Sequence, residues 1–217
     1  MKKLSILLFA CIFAACSQTS NGTSAAAEQC CNSKNAVVET LMARRSIRNY
    51  QPQAVNRDTM NIIAECGIYA ANAMNAQKWE VRLVDDPEFI NGVTALYVNQ
   101  MKGDPRGAKM VEDPSFKNMF RNAPTVAFIA MKDTNPMTLI DCGLLAGNML
   151  TSAKALGIGS VCLGGPVMFM KSPAAKEYMD KLAFPEGYEL QLAIGFGYPA
   201  EDPAAKPRDP EKVKWVE

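Results

Sequence analysis

Residues 125–165 read TVAFIAMKDTNPMTLIDCGLLAGNMLTSAKALGIGSVCLGG. Thr125 to Ala130 is a continuous apolar run, which predicts a central strand. Met137 to about Leu156 then reads as one long helix, stopped by Gly157 where a left-handed cap is easiest for glycine. Ser160 to Leu163 is a second, short strand that runs into Gly164-Gly165-Pro166. Strand, long helix and strand in one run imply a sheet wrapped by helices.

The flanking sequence repeats the alternation. Trp79, Val81 and Leu83 alternate with Glu80 and Arg82 as a half-buried strand does, and Asp86-Pro87 opens a helix through Ile90, Val93 and Leu96. Upstream, Asn56 or Asp58 caps a helix whose Met60, Ile63, Ala64, Gly67, Ile68 and Ala71 recur at three and four, and Asn35 to Arg44 forms an earlier one. Downstream, Tyr188, Leu190, Leu192, Ile194 and Phe196 alternate with polar or small residues in a last strand that Tyr198-Pro199 ends. The class is α/β or α+β.

Of 217 residues, 48% are hydrophobic and 21% charged, an ordinary globular composition with one domain as the default. A formal charge of +1 implies no general attraction to nucleic acid. The chain contains no histidine, so Ser-His-Asp hydrolysis and histidine-ligated zinc are excluded. Chemistry must come from a carboxylate, a cysteine, a lysine or a borrowed cofactor.

Met1-Lys2-Lys3, the apolar run Leu4 to Ala15 and the small residues before Cys16 read as an export signal over residues 1–15, too short to span a bilayer. Phe13-Ala14-Ala15-Cys16 resembles a bacterial lipoprotein signal, with Cys16 the lipidated residue; a cleaved secretory peptide without lipid is the alternative. The resemblance implies an exported protein, lipid-anchored on the periplasmic or cell-surface side of a bacterial membrane. Residues 16–34 are polar and small, a flexible tether carrying Cys30-Cys31, and residues 35–217 form the domain. Cys66, Cys142 and Cys162 sit among apolar neighbours and read as buried hydrophobes. No cysteine spacing suits a metal.

Three stretches bear on function. Arg44, Arg45, Ser46 and Arg48 place three guanidiniums and a hydroxyl where a helix gives way to loop, a set suited to a phosphate but also to a solvated basic surface. Residues 71–79, ANAMNAQKW, offer amides that can read a heterocycle and small side chains that let a flat ring approach; a plain polar turn is the other reading. Gly164 and Gly165 allow backbone N–H groups close to a ligand, and Lys206 and Arg208 give one face of an extended loop positive charge. Gly157-Ile158-Gly159 is no dinucleotide fingerprint, because it ends a helix where that motif must open one.

The ordered blocks RRSIRNY, ANAMNAQKWEV, DCGLLAGNMLTSAKALGIGSVCLGG and LAIGFGYPAEDPAAKPRDP resemble the FMN-dependent nitroreductase family, over roughly residues 35–217. The resemblance implies an α+β fold with a central, mainly antiparallel sheet, and a homodimer with FMN at the subunit interface. It assigns Arg44, Arg45 and Ser46 to the FMN phosphate and ribityl chain, Arg48 to the pyrimidine side, and Lys206 and Arg208 to the phosphate. It assigns the backbone of Gly164 and Gly165 to flavin N5 and O4, and it places Ala71, Asn72, Ala73 and Asn75 against the ring from the partner subunit. The family often has Pro-Ser-Ser or Pro-Ser-Ala where this chain has Ala71-Asn72-Ala73, and proline where it has Lys78. Asn99 and Lys102 repeat a spacing that some members use near flavin O2, and Lys212 to Val216 match a segment that commonly crosses the partner. The implied activity is ping-pong reduction of electron-poor nitroaromatics or quinones, with NAD(P)H the usual donor of the family. Another flavin reaction of the same superfamily, or a non-catalytic flavin-binding lipoprotein, are the alternatives.

Overall fold

The computed structural model describes residues 35–133 and 135–216. The chain divides into Met1–Val38 and Glu39–Glu217. The expected signal, the tether, Cys16 and the Cys30-Cys31 pair lie outside the described residues.

Four strands carry the larger unit: β1 (Trp79–Val84), β2 (Thr125–Lys132), β3 (Gly159–Cys162) and β4 (Tyr188–Gly197). Their order is β1-β2-β4-β3 and every pairing is antiparallel, which decides for α+β over α/β. Successive side chains of β2 enter opposite cores. Val126 and Phe128 pack with Phe89, Ile90, Val93, Phe169 and Met170, whereas Ala127, Ile129 and Met131 pack with Met60, Ile63, Leu145 and Met149.

Seven α-helices are described: α1 (Ala36–Ala43), α2 (Arg57–Ile68), α3 (Pro87–Met101), α4 (Pro105–Val111), α5 (Pro136–Ala155), α6 (Gly164–Met170) and α7 (Lys176–Lys181). Of the two capping residues expected for α2, Asn56 serves: its side chain accepts the Asp58 N–H at 2.8 Å. Asp86 caps α3 ahead of Pro87, and Asn135 caps α5 ahead of Pro136. Gly157 takes the left-handed conformation, φ 74°, just beyond α5.

Gly164-Gly165-Pro166, to which the sequence assigns no element, opens a helix, because Val167, Phe169 and Met170 bury one side of α6. The cysteines expected to be buried differ: Cys142 is buried, Cys66 is half-buried, and Cys162, at the end of β3, is exposed. No helix of the described residues is long and apolar enough to cross a membrane.

Candidate functional site

Residues 44–50 run alongside β3 as an extra, irregular edge. Ser46 bridges Ser160 in parallel, and the Ile47 N–H donates to the Ser160 carbonyl at 3.1 Å. The approach needs Gly159, where a Cβ would come within 3.0 Å of the Ile47 side chain. The buried Tyr50 hydroxyl donates to the Ile47 carbonyl; its burial, with Glu201 nearby, pushes that hydroxyl well above the usual tyrosine range.

The same segment is clamped from the C-terminal side. Glu201 Oε1 accepts the N–H groups of Arg48 and Asn49, Ala200 N–H donates to the Asn49 carbonyl at 2.9 Å, and Gln51 N–H donates to the Tyr198 carbonyl at 2.9 Å.

This parallel register distributes the first cluster along a strip. At one end a recess of about 260 Å³ is lined by Arg44, Arg45, Lys154 and Ser160, with Glu201 and Asp202 beside them. At the other, Arg48 shares a cleft of about 420 Å³ with Cys162, Gly164 and Gly165. Arg44 and Arg48 thus line different recesses on the two sides of the Ser46 bridge.

Gly164 and Gly165 form the first turn of α6, whose N–H groups have no partner within the helix. A Cβ at either would meet nothing within 4 Å, so the space before them is open. Arg45 Nη1 donates to the Met42 and Arg44 carbonyls and Arg48 Nη1 to that of Ser46, which orients both guanidiniums. Among the described residues neither has an acidic partner.

The second stretch lies elsewhere. Ala71, Asn72, Ala73 and Asn75 precede β1, at the opposite edge of the sheet from β3. Met74, Asn75 and Gln77 have φ of 53°, 52° and 47°, a concentration of left-handed non-glycine residues that marks stored strain. Asn72 Oδ1 accepts the Gln77 N–H at 3.0 Å, and both oxygens of the buried Asp141 accept the Ala73 N–H, at 3.3 and 3.4 Å. Met74, at 97% exposure, projects from this rigid turn.

Lys206 and Arg208 lie on the exposed segment beyond Glu201 and line neither cavity within the chain; Arg208 Nη1 contacts the Lys206 and Pro207 carbonyls at 3.4 Å. Asn99 and Lys102 are exposed at the end of α3 and also stay outside the cleft, whereas Tyr97 on the same helix lines it. Sequence reasoning passed over Tyr97, Arg121, Asp141 and Lys154. Asp141 had a signal, a lone acid inside the apolar run of α5; Lys154 had only its place in the last turn of that helix.

Residues 41–198 match a family model described as the nitroreductase family. An NADPH-flavin oxidoreductase of Vibrio harveyi is 27% identical over 182 residues, which are 82% of this chain and 72% of that protein. A crystal structure of a nitroreductase with bound FMN from Desulfitobacterium hafniense has a TM-score of 0.76 at 25% identity, covering 85% of this chain and 100% of that one. A nitroreductase with bound FMN from Bacteroides fragilis shares the fold at a TM-score of 0.74 and 24% identity, with the same coverage.

Proposed function

The chain belongs to the nitroreductase family, and on that premise we propose that it is an FMN-dependent oxidoreductase of electron-poor nitroaromatics or quinones, a homodimer anchored outside the cytoplasm by lipid on Cys16. The observation that carries the cofactor is the strip along β3. Its recess, where Arg44, Arg45 and Lys154 outnumber Glu201 and Asp202, suits a phosphate, and further along Arg48 and the open amides of Gly164 and Gly165 suit the polar edge of a flat ring.

When bound, FMN supplies a two-electron carrier, which explains how a chain without histidine performs redox chemistry. The protein's part is then to hold and tune it. Arg44, Arg45 and Lys154 would neutralise the phosphate, with Ser46 beside it and Lys206 and Arg208 closing from the C-terminal segment. Arg48 would place positive charge, and Gly164 and Gly165 fixed N–H dipoles, where electron density rises. Donor and acceptor would use the one cleft in turn; NADPH, which the Vibrio relative's name gives for that protein, is the donor to try first.

The dimer is argued from what a single chain leaves open. The exposed side of α5 carries Met137, Leu139, Ile140 and Leu144 around Gly143 and Gly147, so the helix is apolar on both faces. The strained 71–75 turn lies at the far edge of the sheet from its own cleft, which supports the reading that it serves the cleft of a partner.

The purified protein should be yellow with a flavin spectrum and oxidise a nicotinamide donor in the presence of a quinone. Arg44→Ala combined with Arg208→Ala should release the flavin while leaving the circular dichroism of the fold intact. A double variant that stays yellow would overturn the site.

A further inference from the structure

The larger cleft has a second wall, lined by Tyr97, Phe116 and Arg121. Arg121 and Asn122 have φ of 58° and 65°, a left-handed conformation that costs free energy for side chains of this size. The loop holds that shape through two asparagines. Asn122 Oδ1 accepts the Lys117 and Asn118 N–H groups at 2.8 and 3.2 Å, and its Nδ2 donates to the Ser115 carbonyl at 2.9 Å. The buried Asn118 accepts the Phe120 N–H at 2.9 Å and donates to the Ala123 carbonyl at 3.1 Å. Met119 and Phe120 anchor the loop in the core.

A strained, fully braced turn thus presents a guanidinium at a cleft mouth. Arg121 has no acidic partner among the described residues. Asp113, the one acid among the residues lining this cleft, already accepts the Ser115 N–H at 2.8 Å, so the two arginines outnumber it. Tyr97 stands edge-on against Phe169, ring centroids 5.2 Å apart; burial raises its hydroxyl above the usual tyrosine range, and the nearby Arg121 charge opposes that rise. Aromatic surface beside an unneutralised cation is the complement of a flat ring bearing an anionic group.

We propose that Arg121 and Tyr97 form the anion-recognising end of the acceptor subsite, selecting aromatic or quinonoid acceptors that carry a carboxylate or sulfonate. The proposal rests on the oxidoreductase reading and names the substrate class of that same cleft. Arg48 remains with the cofactor; Arg121 is the cation left for the substrate.

The test compares para-nitrobenzoate with its methyl ester on the flavin-loaded protein. The wild type should favour the acid in kcat/KM by about tenfold, the worth of a charge-assisted bidentate contact. Arg121→Gln should abolish that ratio, chiefly through KM for the acid, and Arg121→Lys should restore part of it. Calorimetry with the non-reducible para-aminobenzoate gives a readout without turnover, and its Kd should weaken about tenfold in Arg121→Gln. No preference in the wild type, or a loss confined to the KM of the nicotinamide donor, overturns the proposal. A protein that reduces no acceptor but loses para-aminobenzoate binding in Arg121→Gln would refute the oxidoreductase reading and leave the anion site standing.

Discussion

Asp141 is 6% exposed on the inner face of α5, where an unpaired carboxylate would be costly. Its described partner is the Ala73 N–H, so the carboxylate ties the strained 71–75 turn to the helix beneath it. Asp141 also adds to the effect of burial on its neighbour Cys142, whose thiol is raised to about 11 and stays protonated at neutral pH. Asp141→Ala should therefore loosen the turn more than the fold. Hydrogen exchange of the Ala73 amide should accelerate about tenfold, the equivalent of one lost hydrogen bond of roughly 1.5 kcal/mol. Asp141→Asn, which keeps an acceptor, should retain most of the protection; equal exchange in wild type and Asp141→Ala would show that the turn holds itself.

At the scale of elements, α5 is the informative case. Its inward face is Thr138, Asp141, Cys142, Leu145, Ala146, Met149 and Ala153, at the spacing of one helical side. Its outward face is apolar as well, and burying a leucine or isoleucine there would contribute about 1.5–3 kcal/mol each. Ile140→Glu with Leu144→Glu should leave this inward face packed but convert a dimer to monomers in sedimentation, with loss of bound flavin because each cleft would lose the partner's 71–75 turn. A double variant that sediments as the wild type would place the interface elsewhere. Helix α6 teaches the converse. Two glycines and a proline at its start argue against a helix, and seven residues are too few for local propensity to decide; burial of Val167, Phe169 and Met170 does so instead. The short helices α4 and α7 escaped the sequence for the same reason of length.

For the whole molecule, the proposed export signal and the oxidoreductase domain can be tested separately. Lipid on Cys16 would hold the protein at a membrane through several acyl chains, each buried CH₂ contributing about 0.8 kcal/mol. Cys16→Ala should accumulate as unprocessed precursor without acyl mass, while its flavin content stays that of the wild type. Recovery of an acylated, processed Cys16→Ala protein would refute the assignment.

The strands, the long helix with its stop and two caps of other helices were legible in the sequence because each is specified locally: period-two alternation in β1 and β4, an apolar run in β2, Asn56 and Asp86 as caps of α2 and α3, Gly157 as the stop of α5. The arginines of residues 44–48 were legible as a charge cluster for the same reason. What lay beyond sequence was every relation between distant segments. The parallel bridge of Ser46 to Ser160 separates Arg44 from Arg48 along β3, Glu201 clamps that edge, and the sheet order puts the 71–75 turn on the far side. Local periodicity records which face of an element is buried, whereas strand order and edge pairing depend on contacts between residues tens to more than a hundred positions apart, and only the folded chain contains those.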